Sequence, residues 1–267
     1  MIQTDMQFDT QAEYYDKRAG LGEETAKAVA AAIRQLISPY LGGRFLDIGA
    51  GTGEIGFFLQ EPLLHYTGID LSEGMLEVYR ARFTDPAAIP ELIQMDANLP
   101  WPLPEQSVSM FFSSRALHQL ELNHVLAQFA RLSSPQGALL ILGNVKRPED
   151  SPRAIMRKKM HKVLNSFGLS EKSGQSNRNQ LFEALIQQGA ERLPPVTAAR
   201  WQVSNAPMDS ITSWESVDGI AGQDIDPELK AQILKMLYME AQSLFTDLHK
   251  ALETEETYEL NAIKLRF

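Results

Sequence analysis

The chain has 267 residues, 44% of them hydrophobic, and a formal net charge of −9 from 25 basic and 34 acidic side chains. That length suits one α/β domain with additions, and the acidic balance argues against a general affinity for phosphodiester backbone. The absence of cysteine excludes disulfides, thiolate metal sites and a cysteine nucleophile. The chain opens with no basic region followed by an apolar run, and no stretch reaches about 18 consecutive apolar residues, so neither secretion nor a membrane span is expected and the cytoplasm is the expected location.

Residues 25–40 read as a helix, with Ala, Val, Ile and Leu at helical spacing and Pro39, Gly42 and Gly43 ending it. Next, Phe45-Leu46-Asp47-Ile48 is an apolar strand that runs into Gly49-Ala50-Gly51-Thr52-Gly53-Glu54-Ile55-Gly56, a turn expected to open a helix. Glycines at alternate positions permit positive φ and let a ligand approach the backbone closely. From Gly51 the segment also fits the dinucleotide spacing G-x-G-x-x-G. A pyrophosphate there would face Asp47 and Glu54, whereas the sulfonium and amine of S-adenosylmethionine would be helped by the same carboxylates. A short second strand over residues 64–72 ends in Asp70, placed to accept from ribose hydroxyls. A third, over residues 92–98, carries Asp96, placed to accept from the adenine amine. The fourth strand, residues 107–113, leads into Ser114-Arg115-Ala116-Leu117-His118-Gln119-Leu120.

The fifth strand is the apolar run of residues 137–143, and residues 181–189 make a helix. Residues 198–205 and 258–267 read as sixth and seventh strands, separated by about fifty residues with a strong helix pattern over 227–252. The alternation of strands and helices predicts an α/β fold: a Rossmann-like, seven-stranded, mostly parallel sheet with helices on both faces. Residues 1–267 are read as a single domain, with cap elements from about 1–24, 146–180 and 206–255.

Through FLDIGAGTGEIG, GIDLS, QMDANLPWPLPEQSVSMFFSSRALHQL and the N-terminal FDTQAEYYDKRAG, the chain resembles the class I S-adenosylmethionine-dependent methyltransferases. The nearest likeness is to the small-molecule branch that includes the ubiquinone, menaquinone and biotin-precursor enzymes. The resemblance runs from Phe8 to Val145 and stops after about residue 148. It implies an antiparallel last strand between the fifth and sixth. It also implies that Asp47, Gly49, Ala50, Gly51 and Gly53 hold the methionine end, Asp70 and Leu71 the ribose, and Asp96 and Ala97 the adenine. Met75 would pack on the adenosine, Ser114 would line the cofactor, and Arg18 would pair with its carboxylate.

His118 is the candidate general base, either that or a packing residue of the following turn; the other histidines show no metal-ligand spacing. Tyr14 and Tyr15 are candidates for the acceptor or the cofactor, or for staples of the first helix. Arg115 either favours an anionic acceptor or pairs with an acid on the cap. Trp101 is expected near the adenine, and Trp201 and Trp214 in lid or sheet packing. Arg153, Arg157, Lys158, Lys159, His161 and Lys162 form either a solvated helix face or an anion contact, an acidic carrier protein included. The expected activity is methyl transfer to O, N or C of a small molecule, without nucleic acid, membrane or metal, in a protein that can form a homodimer. The alternatives are an NAD(P)-dependent oxidoreductase and a degenerate cofactor-binding partner subunit.

Overall fold

A computed structural model describes residues 20–60, 63–169, 174–217, 219–220 and 225–267. Helix α1, Glu23–Ile37, starts with two glutamates in its first turn, where they complement the helix dipole. It buries Ala26, Val29, Ala30, Ile33 and Ile37, one stripe at helical spacing. Pro39 cannot continue the hydrogen-bond ladder, and Ser38–Tyr40 closes as a 3-10 turn.

The strands are β1 Arg44–Ile48, β2 His65–Asp70, β3 Glu91–Gln94, β4 Val108–Ser114 and β5 Ala138–Lys146, followed by β6 Glu191–Arg192, β7 Val196–Asn205 and β8 Leu252–Leu265. They form an eight-stranded sheet in the order β3-β2-β1-β4-β5-β8-β6, with β7 also paired to β8. β1 pairs in parallel with β2 on one side (Asp47 opposite Gly68) and with β4 on the other (Asp47 opposite Phe112). The strand order therefore reverses beside β1. In open α/β sheets, that reversal leaves a crevice at the carboxyl ends of the strands.

The last strand lies between β5 and the short β6 and is antiparallel to β6. The eighth strand is the difference from expectation: a two-residue strand is too short to carry a periodic signal. β8 begins at Leu252 and α7, Pro227–Leu244, stops eight residues before the expected helix end. Phe245 turns to extended backbone, and the Asp247 side chain accepts from the His249 N–H at 2.9 Å, a local turn that competes with helix.

The remaining helices are α2 Glu73–Arg80, α3 Leu122–Leu132, α4 Pro152–Ser166, α5 Gly174–Gln187 and α6 Pro207–Glu215. The chain divides into two compact units. One holds β1 to β5 with the helices among them as far as Asn144, then α5 to Ala199, and Tyr258–Phe267; the other holds Val145 through α4, and Arg200–Thr257. In the first, Leu46, Phe111, Phe129, Leu140 and Ile263 are fully buried together with Trp101. Truncating one of those phenylalanines to alanine would cost about 3–5 kcal/mol.

In the second unit, Met160, Val163 and Leu164 of α4 pack with Ile233 and Leu237 of α7, and Met156 packs with Ile211 of α6. Trp214 joins these clusters. Its basic helix is matched by acids: Lys159 reaches Glu240 at 2.7 Å, Lys158 reaches Glu149 at 2.9 Å, and Arg153 lies 3.8 Å from the buried Glu256. Among the described residues, no helix is long and apolar enough to cross a membrane.

Candidate functional site

The crevice beside β1 holds a cavity of about 340 Å³, within the range of small-molecule sites. Its walls are the ends of β1, β2 and β4 and the loops after them, together with the residues 96–98 that follow β3. Asp47, Gly49, Ala50, Gly51, Asp70, Leu71, Met75, Asp96, Ala97, Ser114 and Arg115 all line it. Gly53 and His118 do not. Arg18, Tyr14 and Tyr15 lie outside the described residues.

The glycine turn is shaped by three separate needs. Gly49 (φ +76°) has no room for a Cβ, which would sit 2.2 Å from that of Ala116, and at Gly53 (φ +72°) a Cβ would meet the Tyr79 ring at 2.1 Å. Gly51 (φ +55°) differs: a Cβ there would meet nothing within 4 Å and would project into open space. Gly53 is thus glycine for the packing behind the turn, and Gly51 combines a left-handed backbone with an open approach for a ligand. The turn runs on into a 3-10 segment, Gly56–Leu59, and not into the expected α-helix, so Glu54 precedes a single short turn. It is pinned from β2 by the Ile69 carbonyl, which accepts from the Gly49 and Ala50 N–H groups at 2.9 and 3.0 Å. The Arg82 guanidinium holds the Thr52 carbonyl at 2.7 Å.

Asp70 ends β2 and spans two loops, its Oδ2 accepting from the Gly51 N–H at 2.8 Å and its Oδ1 from the Ser72 N–H at 3.0 Å. A carboxylate oxygen has two lone pairs, so the same group can still accept from a ligand hydroxyl. Ser72 caps α2 by accepting from the Met75 N–H at 3.1 Å, which sets the buried Met75 side chain against the cavity. After β3, Asp96 accepts from the Asn98 N–H at 2.8 Å. Trp101 does not face the cavity as expected. It is fully buried in the core and donates its indole N–H to the Ala97 carbonyl at 2.9 Å, bracing that loop from behind.

Asp47 is 3% exposed and accepts from the Tyr66 hydroxyl at 2.6 Å. Burial pushes its carboxyl up to about 7, with Asp70 adding a like charge and the Tyr66 hydrogen bond opposing the rise. Ser114 shares a 2.6 Å hydrogen bond with the buried hydroxyl of Tyr258.

Arg115 follows at φ +66°, rare for a side-chain-bearing residue, and its guanidinium contacts Glu54 at 3.1 Å. Glu54 also accepts from the Leu21 N–H. Of the two expectations for Arg115 the pairing with an acid is the one seen, but the acid belongs to the glycine turn and not to the cap. His118 lies on the 3-10 turn Leu117–Gln119, where Gln119 and then Leu120 face the cavity instead. Thr52, Asn98 and Gln119 are further polar wall residues that sequence reasoning passed over. The available signal was their place beside singled-out residues, Thr52 after Gly51, Asn98 after Ala97 and Gln119 after His118. Among the described residues no cluster of His, Asp or Glu is arranged to hold a metal.

A doubly wound α/β unit with a glycine turn and three strand-terminal carboxylates around one cavity is a nucleotide-cofactor-binding protein by architecture. The methyltransferase-domain family model matches residues 45–137, the segment that builds this cavity. A demethylmenaquinone methyltransferase of Clavibacter sepedonicus is 30% identical over 143 residues, covering 52% of this chain and 57% of that one. The chain thus spans a little over half the length of this curated relative. The YcgJ protein of Bacillus subtilis has the same fold, with a TM-score of 0.55 and 17% identity over 90% of this chain and 98% of its own. So does the [4+2]-cyclase SpnF, at 0.58 and 16% over 99% and 96%. Residues 45–137 are thus similar to a methyltransferase domain.

Proposed function

We propose that this protein transfers a methyl group from S-adenosylmethionine to O, N or C of a small-molecule acceptor. The observation that carries the reading is the convergence of Asp47, Gly51, Asp70 and Asp96 on one cavity at the strand-order reversal. The fit is supported by the open space over Gly51, which any side chain would fill. The glycine turn with Asp47 would take the methionine end, Asp70 and Leu71 the ribose, and Asp96 and Ala97 the adenine, with Met75 packed on the adenosine. Arg18, beyond the described residues, is proposed for the cofactor carboxylate.

Bound there, the sulfonium supplies an activated methyl with a good leaving group. The chain's own part is alignment and exclusion of water, for which no general base is obligatory. The pairing of Arg115 with Glu54 supports a neutral acceptor as well as an anionic one. Calorimetric titration of the purified protein with S-adenosylmethionine, S-adenosylhomocysteine and NAD(P) tests the reading. Micromolar binding of the first two alone supports it. Binding of NAD(P) alone overturns it in favour of an oxidoreductase. Donor binding without transfer to any of a panel of phenols, amines and activated carbon acids would favour a partner subunit or another reaction on the same fold.

A further inference from the structure

Behind the cavity wall the first unit buries a chain of hydroxyls that ends on a single carboxylate oxygen. Tyr66 is 5% exposed and Tyr79 fully buried, and their rings meet edge to face with centroids 6.2 Å apart. The Tyr66 hydroxyl donates its one proton to Asp47 Oδ2 at 2.6 Å. The Tyr79 hydroxyl borders the same space over Gly56 as the Tyr66 hydroxyl. Gln60 donates to the Tyr79 oxygen at 3.4 Å and to the Gly56 carbonyl at 3.0 Å.

Room for this line depends on Gly56, where a Cβ would stand 2.3 Å from one hydroxyl and 2.4 Å from the other. Tyrosine rings alone would fill the space behind β1; the hydroxyls and the bare glycine are needed only if the donors matter. Gln60 thus holds the Tyr79 oxygen, and the Tyr66 hydroxyl carries its proton onto the carboxylate.

Resting on the methyl-donor reading above, we propose that Tyr66, with Tyr79 packed on its ring, is a positioning residue acting through Asp47. It holds the carboxylate toward the cofactor's cationic end, and cofactor binding is coupled to release of a proton from Asp47 to solvent. The balance is simple: the Asp47 O–H bond breaks, the proton leaves to water, and the carboxylate stays as counter-ion to the ammonium and sulfonium. The groups around Asp47 are Tyr66 and Asp70 on β2, Tyr79 on α2 with Arg82 beside it, and Tyr258 on β8 with the Glu54–Arg115 pair next to that. Burial pushes the carboxyl up to about 7 and Asp70 adds a like charge, both favouring the protonated form, and among the described residues no ion pair forms on Asp47. A cationic ligand reverses that preference, and a neutral isostere of the donor would not.

The experiment is titration of the intact protein with S-adenosylmethionine by calorimetry from about pH 5.5 to 7.5. Buffers of differing ionisation enthalpy count the protons released, and the wild type is run beside Tyr66→Phe and Tyr79→Phe. Wild-type affinity should fall more than about tenfold from the upper to the lower pH, with close to one proton released per site at the acid end. Tyr66→Phe should move the midpoint to higher pH and weaken binding across this range by up to about tenfold, most at the acid end and least at pH 7.5. Tyr79→Phe keeps the ring that packs on Tyr66 and should keep the wild-type profile.

An affinity independent of pH, with no proton released, overturns the coupling. A pH profile that Tyr66→Phe shares with the wild type overturns the role of Tyr66. Absence of binding at every pH overturns the methyl-donor reading and this inference with it, an outcome separate from pH-independent binding.

Discussion

Replacing Asp47 by asparagine should make the cofactor-free protein more stable near neutral pH while abolishing its ligand site. The carboxyl ionises near 3.8 in an unfolded chain and at about 7 in its buried position. Between those values the folded state holds a proton that the unfolded state has lost, so stability is greatest in acid and declines as pH rises toward 7. At about 1.4 kcal/mol per pH unit, the cost approaches about 4 kcal/mol near pH 8 and is about 1 kcal/mol near pH 4.5.

Asparagine has nearly the same shape, keeps an oxygen to accept from Tyr66, and never ionises. The variant should therefore gain up to about 4 kcal/mol near pH 8, raising the unfolding midpoint by about 10 °C for a chain of this size, and most of the gain should vanish near pH 4.5. Thermal unfolding of both proteins without ligand, at the two pH values, reads this directly. An asparagine variant no more stable than the wild type near pH 8, or a difference that ignores pH, would refute the reasoning. The expected gain, if measured, makes the wild-type carboxylate a stability liability retained for binding, since a cationic ligand offsets its desolvation.

The glycine turn offers a paired test. Gly51→Ala should keep the fold at a cost of about 1–2 kcal/mol for its left-handed backbone and lose cofactor affinity, whereas Gly53→Ala should mainly destabilise by driving a methyl into the Tyr79 ring; thermal shift with and without S-adenosylmethionine separates them. Asp70→Ala should weaken cofactor binding at least about tenfold, and should also lower stability by about 1–3 kcal/mol because the Gly51 and Ser72 N–H groups lose their acceptor. His118→Ala should leave turnover within about tenfold of wild type, less than Gln119→Ala, because Gln119 is the one that faces the cavity. A hundredfold loss at His118 with cofactor affinity intact would restore it as a general base.

The order of strands, the glycine turn and the strand-terminal acids were legible because each is written in a local period or a fixed spacing. An apolar run ending in Asp47 must be a buried strand, and Gly49, Gly51 and Gly53 mark the turn whether or not their neighbours are known. The four-segment order likewise sufficed to place the cavity's main walls at the carboxyl ends of β1, β2 and β4. What the chain by itself could not yield was the partner of each charge. Glu54 and Arg115 are 61 residues apart, and Ser114 and Tyr258 144 apart, so their pairing exists only once the sheet has assembled.

The same holds for which residue of a 3-10 turn faces inward, where a rotation of one position puts Gln119 and not His118 on the wall, and for the end of α7, where helical spacing of apolar residues continued past a turn-forming aspartate. Above all, the state of Asp47 was decided by tertiary structure. Its position at the end of β1 is a matter of sequence, but its proton depends on burial, on the hydrogen bond from Tyr66 and on the charge of Asp70. Desolvation is a property of what packs around a group, and no local pattern carries it.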